Sequence, residues 1–404
     1  MAKSYDFVII GAGIVGLSVA RELNKRHPNS SIVILEKELD IGRHASGRNS
    51  GVMHSGVYYG STTLKAKVCS LGAARMRDFA DEHEISYKKV GKVIIAGSAE
   101  DLPTLDTLLT NAKNNGVKAE RLDVQGVKEI EPYASAYEAG IYCPDTAVID
   151  SKVIINKLRE ILEEQGVEFV YGAPIRTARP NQCLVETAQG KFSYEFLYNC
   201  AGAGADLIAK MFGHAGDYTL VPFKGIYYKL RVDRRHLVNG NIYPVPNVEL
   251  PFLGVHLTKA INGEVYLGPT AIPALGRENY GIFKGIKLSE SFTIGRQLIS
   301  MYKANRENFR RLAHEEMKKY YKPFFLSAAQ KLIRTLQSGD LESSNKIGIR
   351  PQLVNLKTQT LEMDYIVEKD ERTLHVLNSI SPAFTSSLAF CGYIVDQAEG
   401  TKPV

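Results

Sequence analysis

Residues 5–36 place a short apolar run, YDFVII, directly before GAGIVG, then LSVARELNKR with apolar residues at helical spacing, then SSIVILEK, a second apolar run closed by an acid. That order is strand, glycine turn, helix, strand, the opening unit of a dinucleotide-binding fold. The three glycines differ in what they permit. Gly11 allows the tight turn, Gly13 the close approach of a pyrophosphate, and Gly16 the packing of helix on strand. The helix N-terminus then offers free N–H groups to phosphate. Glu36 lies 20 residues after Gly16, at the end of the second strand, where a carboxylate accepts hydrogen bonds from ribose hydroxyls. An acid at that place disfavours a 2′-phosphate, so NADP is not expected and the choice is between NAD and FAD.

The rest of the 404 residues calls for more than one core. A helix over 153–165 followed by GVEFVYG, and FLYNCAGAGADLIAKMFG as strand, glycine turn and helix start, extend the nucleotide unit. Residues 221–275 alternate and are rich in aromatics and proline, which argues for antiparallel strands. The pattern is helical from 288 to 336, and the last stretch reads strand, turn, helix. The expected fold class is α/β: a Rossmann-like nucleotide-binding domain with a parallel sheet, and an inserted α+β substrate domain with a mainly antiparallel sheet. The boundaries are 1–85, 145–220 and 340–404 for the first domain, and 86–144 and 221–339 for the second.

A net charge of +6, from 50 basic against 44 acidic side chains, is too mild and dispersed for nucleic acid but suits an anionic small molecule. No apolar run reaches the roughly 18 residues that cross a bilayer. The N-terminus enters a strand at once, so no signal or transit peptide is expected, and the five cysteines lack metal-type spacing. A cytoplasmic protein with reduced thiols and no metal follows.

GRNSGVMHSGVYYG, residues 47–60, holds a lone His54 among its glycines. Gly47, Gly51 and Gly56 would let main chain lie against a flat ring system, with the imidazole beside it. Lys37 and Arg43, in KELDIGR just after the ribose acid, can reach the pyrophosphate or adenine side. A wrap this soon after the acid suits an isoalloxazine better than a nicotinamide, so FAD is expected.

GAGIVGLSVARELN, HASGRNSGVMHSGVYYGSTTLKAKVC, NCAGAGAD, VPFKGIYYKL, NIYPVPNVELPFLGVHLT, VYLGPTAI and ISPAFTSSLA occur in this order along nearly the whole chain. In this the chain resembles the L-2-hydroxyglutarate dehydrogenases and oxidases, within the D-amino-acid-oxidase-like FAD enzymes. The resemblance implies FAD-dependent oxidation of an L-2-hydroxy acid to a 2-oxo acid, with electrons passed to quinone or oxygen. It implies that Gly11, Gly13, Gly16 and Glu36 hold the ADP half. Arg43, Ser46, Asn49, Ser50 and Gly51 would run along the pyrophosphate and flavin, Ile175 would meet adenine, and Ala201 and Gly202 the middle of the cofactor. Gly348 belongs to the same cofactor set, and Ser381, Pro382 and Ala383 would close over the flavin pyrimidine with a helix start. His44 stands where some of the wider family attach FAD covalently; here it is expected to solvate the pyrophosphate. The chain departs from the family at Ala45, Ser46, Gly47 and Arg48, and an RN pair followed by a histidine also occurs in FAD-dependent glycerol-3-phosphate dehydrogenases. That enzyme, an amine oxidase of the same fold, and a redox sensor without turnover remain alternatives.

Oxidising an alcohol carbon requires a base, a hydride acceptor and a grip on the carboxylate. His54 is the candidate base and His256 the second candidate, with roles that sequence leaves exchangeable. Arg350, in KIGIRPQL, can grip a carboxylate through two parallel hydrogen bonds. Lys224, Tyr59 and Tyr243 are candidate contacts for a distal carboxylate. Residues 315–334, EEMKKYYKPFFLSAAQKLIR, mix lysines with aromatics as an interfacial helix does, a candidate peripheral membrane contact.

Overall fold

The computed structural model describes residues 2–246 and 252–401; residues 247–251, inside the YPVPNVELPFLGVHLT motif, lie outside the described residues. The first strand, Lys3–Ile10, sits between two parallel neighbours, Ile32–Leu35 and Lys191–Asn199. Glu168–Val170 extends the parallel ladder on one side and Thr373–Val376 on the other. Residues separated by most of the chain thus share one sheet. Its apolar runs are buried on both faces, as parallel strands covered by helices are: Val8, Ile9, Val33 and Ile34 are all inaccessible.

Three helices cover one face of that sheet. Ile14–Arg26 buries Leu17 and Leu23, Ser151–Glu164 buries Ile154 and Leu158, and Ala383–Glu399 buries Phe390 and Ile394. Each such side chain contributes about 1.5–3 kcal/mol on burial. Asp150 starts the second helix by accepting from the Lys152 N–H at 2.9 Å, an N-cap contact.

A ten-stranded sheet forms the second layer, antiparallel apart from the pairing of Asn241–Pro244 with Lys92–Ile95. Its longest ladder joins Tyr218–Leu230 to Leu341–Asn355, in a register that sets Phe223 opposite Arg350 and Lys224 opposite Ile349. Residues 341–355, grouped by sequence with the nucleotide unit, therefore pair in the antiparallel sheet instead. Their partner is a strand more than a hundred positions earlier, which local pattern does not disclose. The helical reading of 288–336 resolves into Leu288–Ala304, Phe309–Lys318 and Lys322–Gln330, with left-handed backbone at Asn305, Glu307 and Asn308 breaking the first from the second.

A three-stranded sheet of Val52–Met53, Ala147–Ile149 and Tyr87–Lys89 packs Met53, Ala147 and Ile149 into the same core as the three helices that cover the parallel sheet. It carries the segment that leads into His54.

Candidate active site

A cavity of about 560 Å³ opens at the C-terminal end of the first strand. Gly11 turns there with φ +103°, and a Cβ on it would stand 2.7 Å from the Cys200 carbonyl oxygen. Gly16 faces the same turn: a Cβ there would lie 2.0 Å from the Gly11 oxygen. Glu36 is buried, and its carboxylate accepts the Ala12 N–H at 2.8 Å and the Glu38 N–H at 2.9 Å. Burial pushes its pKa up while the two N–H groups oppose the shift. Each oxygen keeps a lone pair for a ribose hydroxyl.

Gly11, Gly13, Glu36, Lys37, Arg43, His44, Ser46, Asn49, Ser50, Ile175, Ala201, Gly202, Ser381, Pro382 and Ala383 all line this cavity. Several do so while occupied with protein partners. Ser46 Oγ accepts the Ile14 N–H at 2.9 Å, tying the loop to the helix start. Asn49 donates to the Ser46 carbonyl and accepts the Gly51 N–H, both at 2.8 Å. Lys37 pairs with Glu278, and Arg43 is largely exposed beside Asp40. His44 has protein partners on both ring nitrogens: one lies 2.9 Å from the Tyr280 hydroxyl and the other 2.9 Å from Glu38 Oε1.

Gly51 and Gly348 lie off the cavity lining. A Cβ on Gly51, whose φ is +76°, would meet the Ile149 oxygen at 2.4 Å, and one on Gly348 the Arg48 oxygen at 3.2 Å. These glycines admit neighbouring protein backbone. Tyr280, whose ring receives the Arg48 guanidinium at 4.2 Å, lines the cavity and escaped the sequence reading. It sits in a loop without periodicity.

His54 marks one end of the cavity, with Val52 and Thr385. Its backbone N–H donates to Thr385 Oγ1 at 3.2 Å, and Thr385 in turn donates to the Val52 carbonyl at 3.2 Å. The closing helix thereby fixes the base candidate. Its Nδ1 is buried with no hydrogen-bond partner. Burial lowers the His54 pKa to about 3, helped by the charges of Lys92, His256 and Arg350. The imidazole is consequently neutral at physiological pH.

His256 lies near enough to act on His54 electrostatically. Its Nδ1 stands 2.9 Å from the Gly254 carbonyl, which assigns the N–H to Nδ1 and leaves Nε2 with its lone pair. It stacks on Tyr243, centroids 3.9 Å apart at 18°, and burial lowers its pKa to about 4. Arg350 is half-buried, acts on both imidazoles and on Tyr59, and stands over the Phe252 ring at 5.4 Å. The structure thus gathers His54, His256, Arg350, Tyr59 and Tyr243. Lys224 is set apart from them: its Nζ donates to the Gly281 carbonyl at 2.7 Å and secures the loop behind the cavity. Lys92 and Lys65, both buried and both acting on this group or its neighbours, were missed. A lysine heading the apolar run in VGKVIIAG was the available signal for the first.

Residues 6–397 match the family described as FAD dependent oxidoreductase. The chain is 35% identical over 401 residues, 98% of both chains, to an L-2-hydroxyglutarate dehydrogenase of Indibacter alkaliphilus. It is 36% identical to the mitochondrial L-2-hydroxyglutarate dehydrogenase of Homo sapiens, covering 98% of this chain and 89% of that one. Among solved structures, an L-alpha-glycerophosphate oxidase from Mycoplasma pneumoniae with FAD bound superposes with a TM-score of 0.76 at 19% identity, over 98% of this chain and 95% of that one. A glycine oxidase from Geobacillus kaustophilus gives 0.73 at 18%, over 99% and 95%. At such identities the two structures speak for the fold alone.

Proposed function

Because the chain belongs to the FAD-dependent oxidoreductase family, we propose that it oxidises an L-2-hydroxy acid, L-2-hydroxyglutarate, to the 2-oxo acid. The observation that carries this reading is a neutral imidazole with an unmatched, buried Nδ1 at the end of the cofactor cavity, within the electrostatic influence of a half-buried arginine. The glycine turn, the buried Glu36 and the cavity fit the dinucleotide; bound FAD supplies the acceptor for the hydride that leaves C2.

The side chains divide the remaining work. Arg350 grips the carboxylate next to the hydroxyl, two N–H donors to two oxygens. His54 takes the hydroxyl proton as the C–H bond breaks and the C=O bond forms. It is preferred over His256 because it lines the cofactor cavity, whereas His256 presents Nε2 from the adjoining sheet and orients the substrate. Tyr59, whose hydroxyl burial keeps protonated, can donate to the same carboxylate.

Anaerobic addition of L-2-hydroxyglutarate should bleach the flavin, with glycerol 3-phosphate, L-lactate and sarcosine much less effective. Bleaching by glycerol 3-phosphate and not by L-2-hydroxyglutarate would reverse the assignment, and bleaching by none would favour a sensor.

Electrons then leave to a quinone or to oxygen. No helix among the described residues is long and apolar enough to cross a membrane. Residues 315–334 expose Met317, Tyr320, Tyr321 and Phe324, and a stronger apolar row, Ile282, Phe283, Leu288 and Phe292, is exposed next to Tyr280 and Lys287 of the cavity wall. Peripheral contact through that row would bring a lipid-soluble quinone to the cofactor. Holoprotein should co-sediment with anionic vesicles, and Ile282→Ser with Phe283→Ser should abolish this; no sedimentation of the unaltered protein would favour oxygen.

A further inference from the structure

Lys92 begins the strand Lys92–Ile95, opposite Cys143 in the antiparallel ladder, and is wholly buried. Its Nζ has no hydrogen-bond partner, and no carboxylate among the described residues pairs with it. Lysine is almost never buried in this way without a counter-charge. Two aromatic faces offset part of the cost: Nζ stands 4.4 Å from the Tyr58 ring centroid and 5.5 Å from that of Tyr243. Tyr243 is the ring on which His256 stacks, and Tyr58 lies four residues beyond His54.

Around the same spot, His54 Nδ1 and Tyr58 Oη are also buried without partners. A native interior leaves few such atoms, and a group of them calls for a polar occupant. Burial lowers the pKa of the Lys92 amine, and a neighbouring negative charge is what would restore its ammonium form, which gives the occupant's sign. It is an anion.

We propose that Lys92 is a second anion-binding position of the active site, receiving the far carboxylate of a dicarboxylate substrate while Arg350 holds the one beside the hydroxyl. The assignment rests on the hydroxy-acid reading above and names what selects within that class. Both cations reach both imidazoles: Lys92 and Arg350 each act on His54 and on His256. A substrate whose carbinol carbon lies at His54 is therefore within the electrostatic influence of two cations. Lys224 does not act on either imidazole, and its Nζ donates to the Gly281 carbonyl. A monocarboxylate of equal length would leave the Lys92 ammonium unmatched, and the penalty of an unmatched buried charge makes the discrimination.

The test compares L-2-hydroxyglutarate with L-2-hydroxypentanoate, the same carbon chain with one carboxylate, as reductants of the holoprotein under anaerobic conditions. Binding of glutarate and of pentanoate, read from the perturbed flavin spectrum, gives a measure that requires no turnover. In Lys92→Met the preference for the dicarboxylate should fall at least tenfold in both comparisons, and Lys92→Arg should restore part of it. The melting temperature of Lys92→Met should hold or rise, since an unmatched charge gives way to an apolar chain of similar length. A preference that survives Lys92→Met, or an equal fall for both ligands with a lowered melting temperature, overturns the assignment. Should Lys92→Met yield no flavoprotein, Tyr58→Phe is expected to weaken glutarate more than pentanoate, and equal weakening has the same overturning force. If neither 2-hydroxy acid reduces the unaltered protein, the functional reading falls, while the glutarate–pentanoate comparison still decides the role of Lys92.

Discussion

His54→Ala should slow anaerobic flavin reduction by L-2-hydroxyglutarate by about 10²-fold or more, with the flavin still bound. The expectation rests on how the imidazole is held. Its backbone is pinned by Thr385, so truncation beyond Cβ leaves those contacts in place. What is lost is a neutral, buried nitrogen lone pair at the cavity's end. Reduction at the normal rate in His54→Ala would return the residue to a structural role and move His256 into the base position. The pH dependence checks the same point. Burial and the flanking cations hold the His54 pKa near 3 and that of His256 near 4, so both are neutral well below pH 6.5. The second-order rate constant for reduction, which reports the free protein, should show no break near pH 6.5. Stability should behave differently. Between about 6.5 and these depressed values the unfolded chain binds more protons than the folded one, so stability declines as pH falls through that window.

Gly16→Val should give protein that purifies without yellow colour, its FAD affinity lowered at least roughly tenfold, a loss of more than about 1.4 kcal/mol. A Cβ at this position would stand 2.0 Å from the Gly11 oxygen and 3.3 Å from Ile9 Cγ2. Neither neighbour is the free end of a flexible side chain. Relief requires the helix to back away from the first strand, which pulls Ile14 N–H from Ser46 Oγ and Ala12 N–H from Glu36. The turn that receives the pyrophosphate is then gone, while the helices and sheets elsewhere should still show in the far-ultraviolet spectrum. Gly60→Ala, where nothing lies within 4 Å of the added carbon, is the matched control. Normal flavin content in Gly16→Val would mean that this turn is not where the cofactor's phosphates sit.

The first unit was legible because its determinants are local: strand, turn, helix and acid lie within about thirty residues, and what each residue does follows from its neighbours in sequence. His54, His256 and Arg350 were chosen by the types of residue that alcohol oxidation requires, and the structure brings them within electrostatic influence of one another. What was not legible has one physical origin. Gly51 looked like a place for a ring system, yet the atom it must admit belongs to Ile149. Lys224 looked like an anion contact, yet its ammonium finds the Gly281 carbonyl across a loop. His44 likewise finds Tyr280. Residues 341–355 followed the nucleotide unit in sequence but pair with 218–230 in space. In every case the deciding partner is remote along the chain, and a local pattern carries no information about it. Lys92 was overlooked for the reverse reason, since charge in a strand suggests a solvent-facing position until burial is known.

The hydrogen bonds of Thr385 to His54 and Val52 span 331 and 333 positions. During synthesis the segment bearing His54 emerges well before the helix that fastens its main chain. The first strand likewise waits for Lys191–Asn199, and that strand for Thr373–Val376. Until the helix Ala383–Glu399 docks, the main chain at His54 lacks its Thr385 anchor, so the proposed proton acceptor is positioned only when segments from opposite ends of this topology meet.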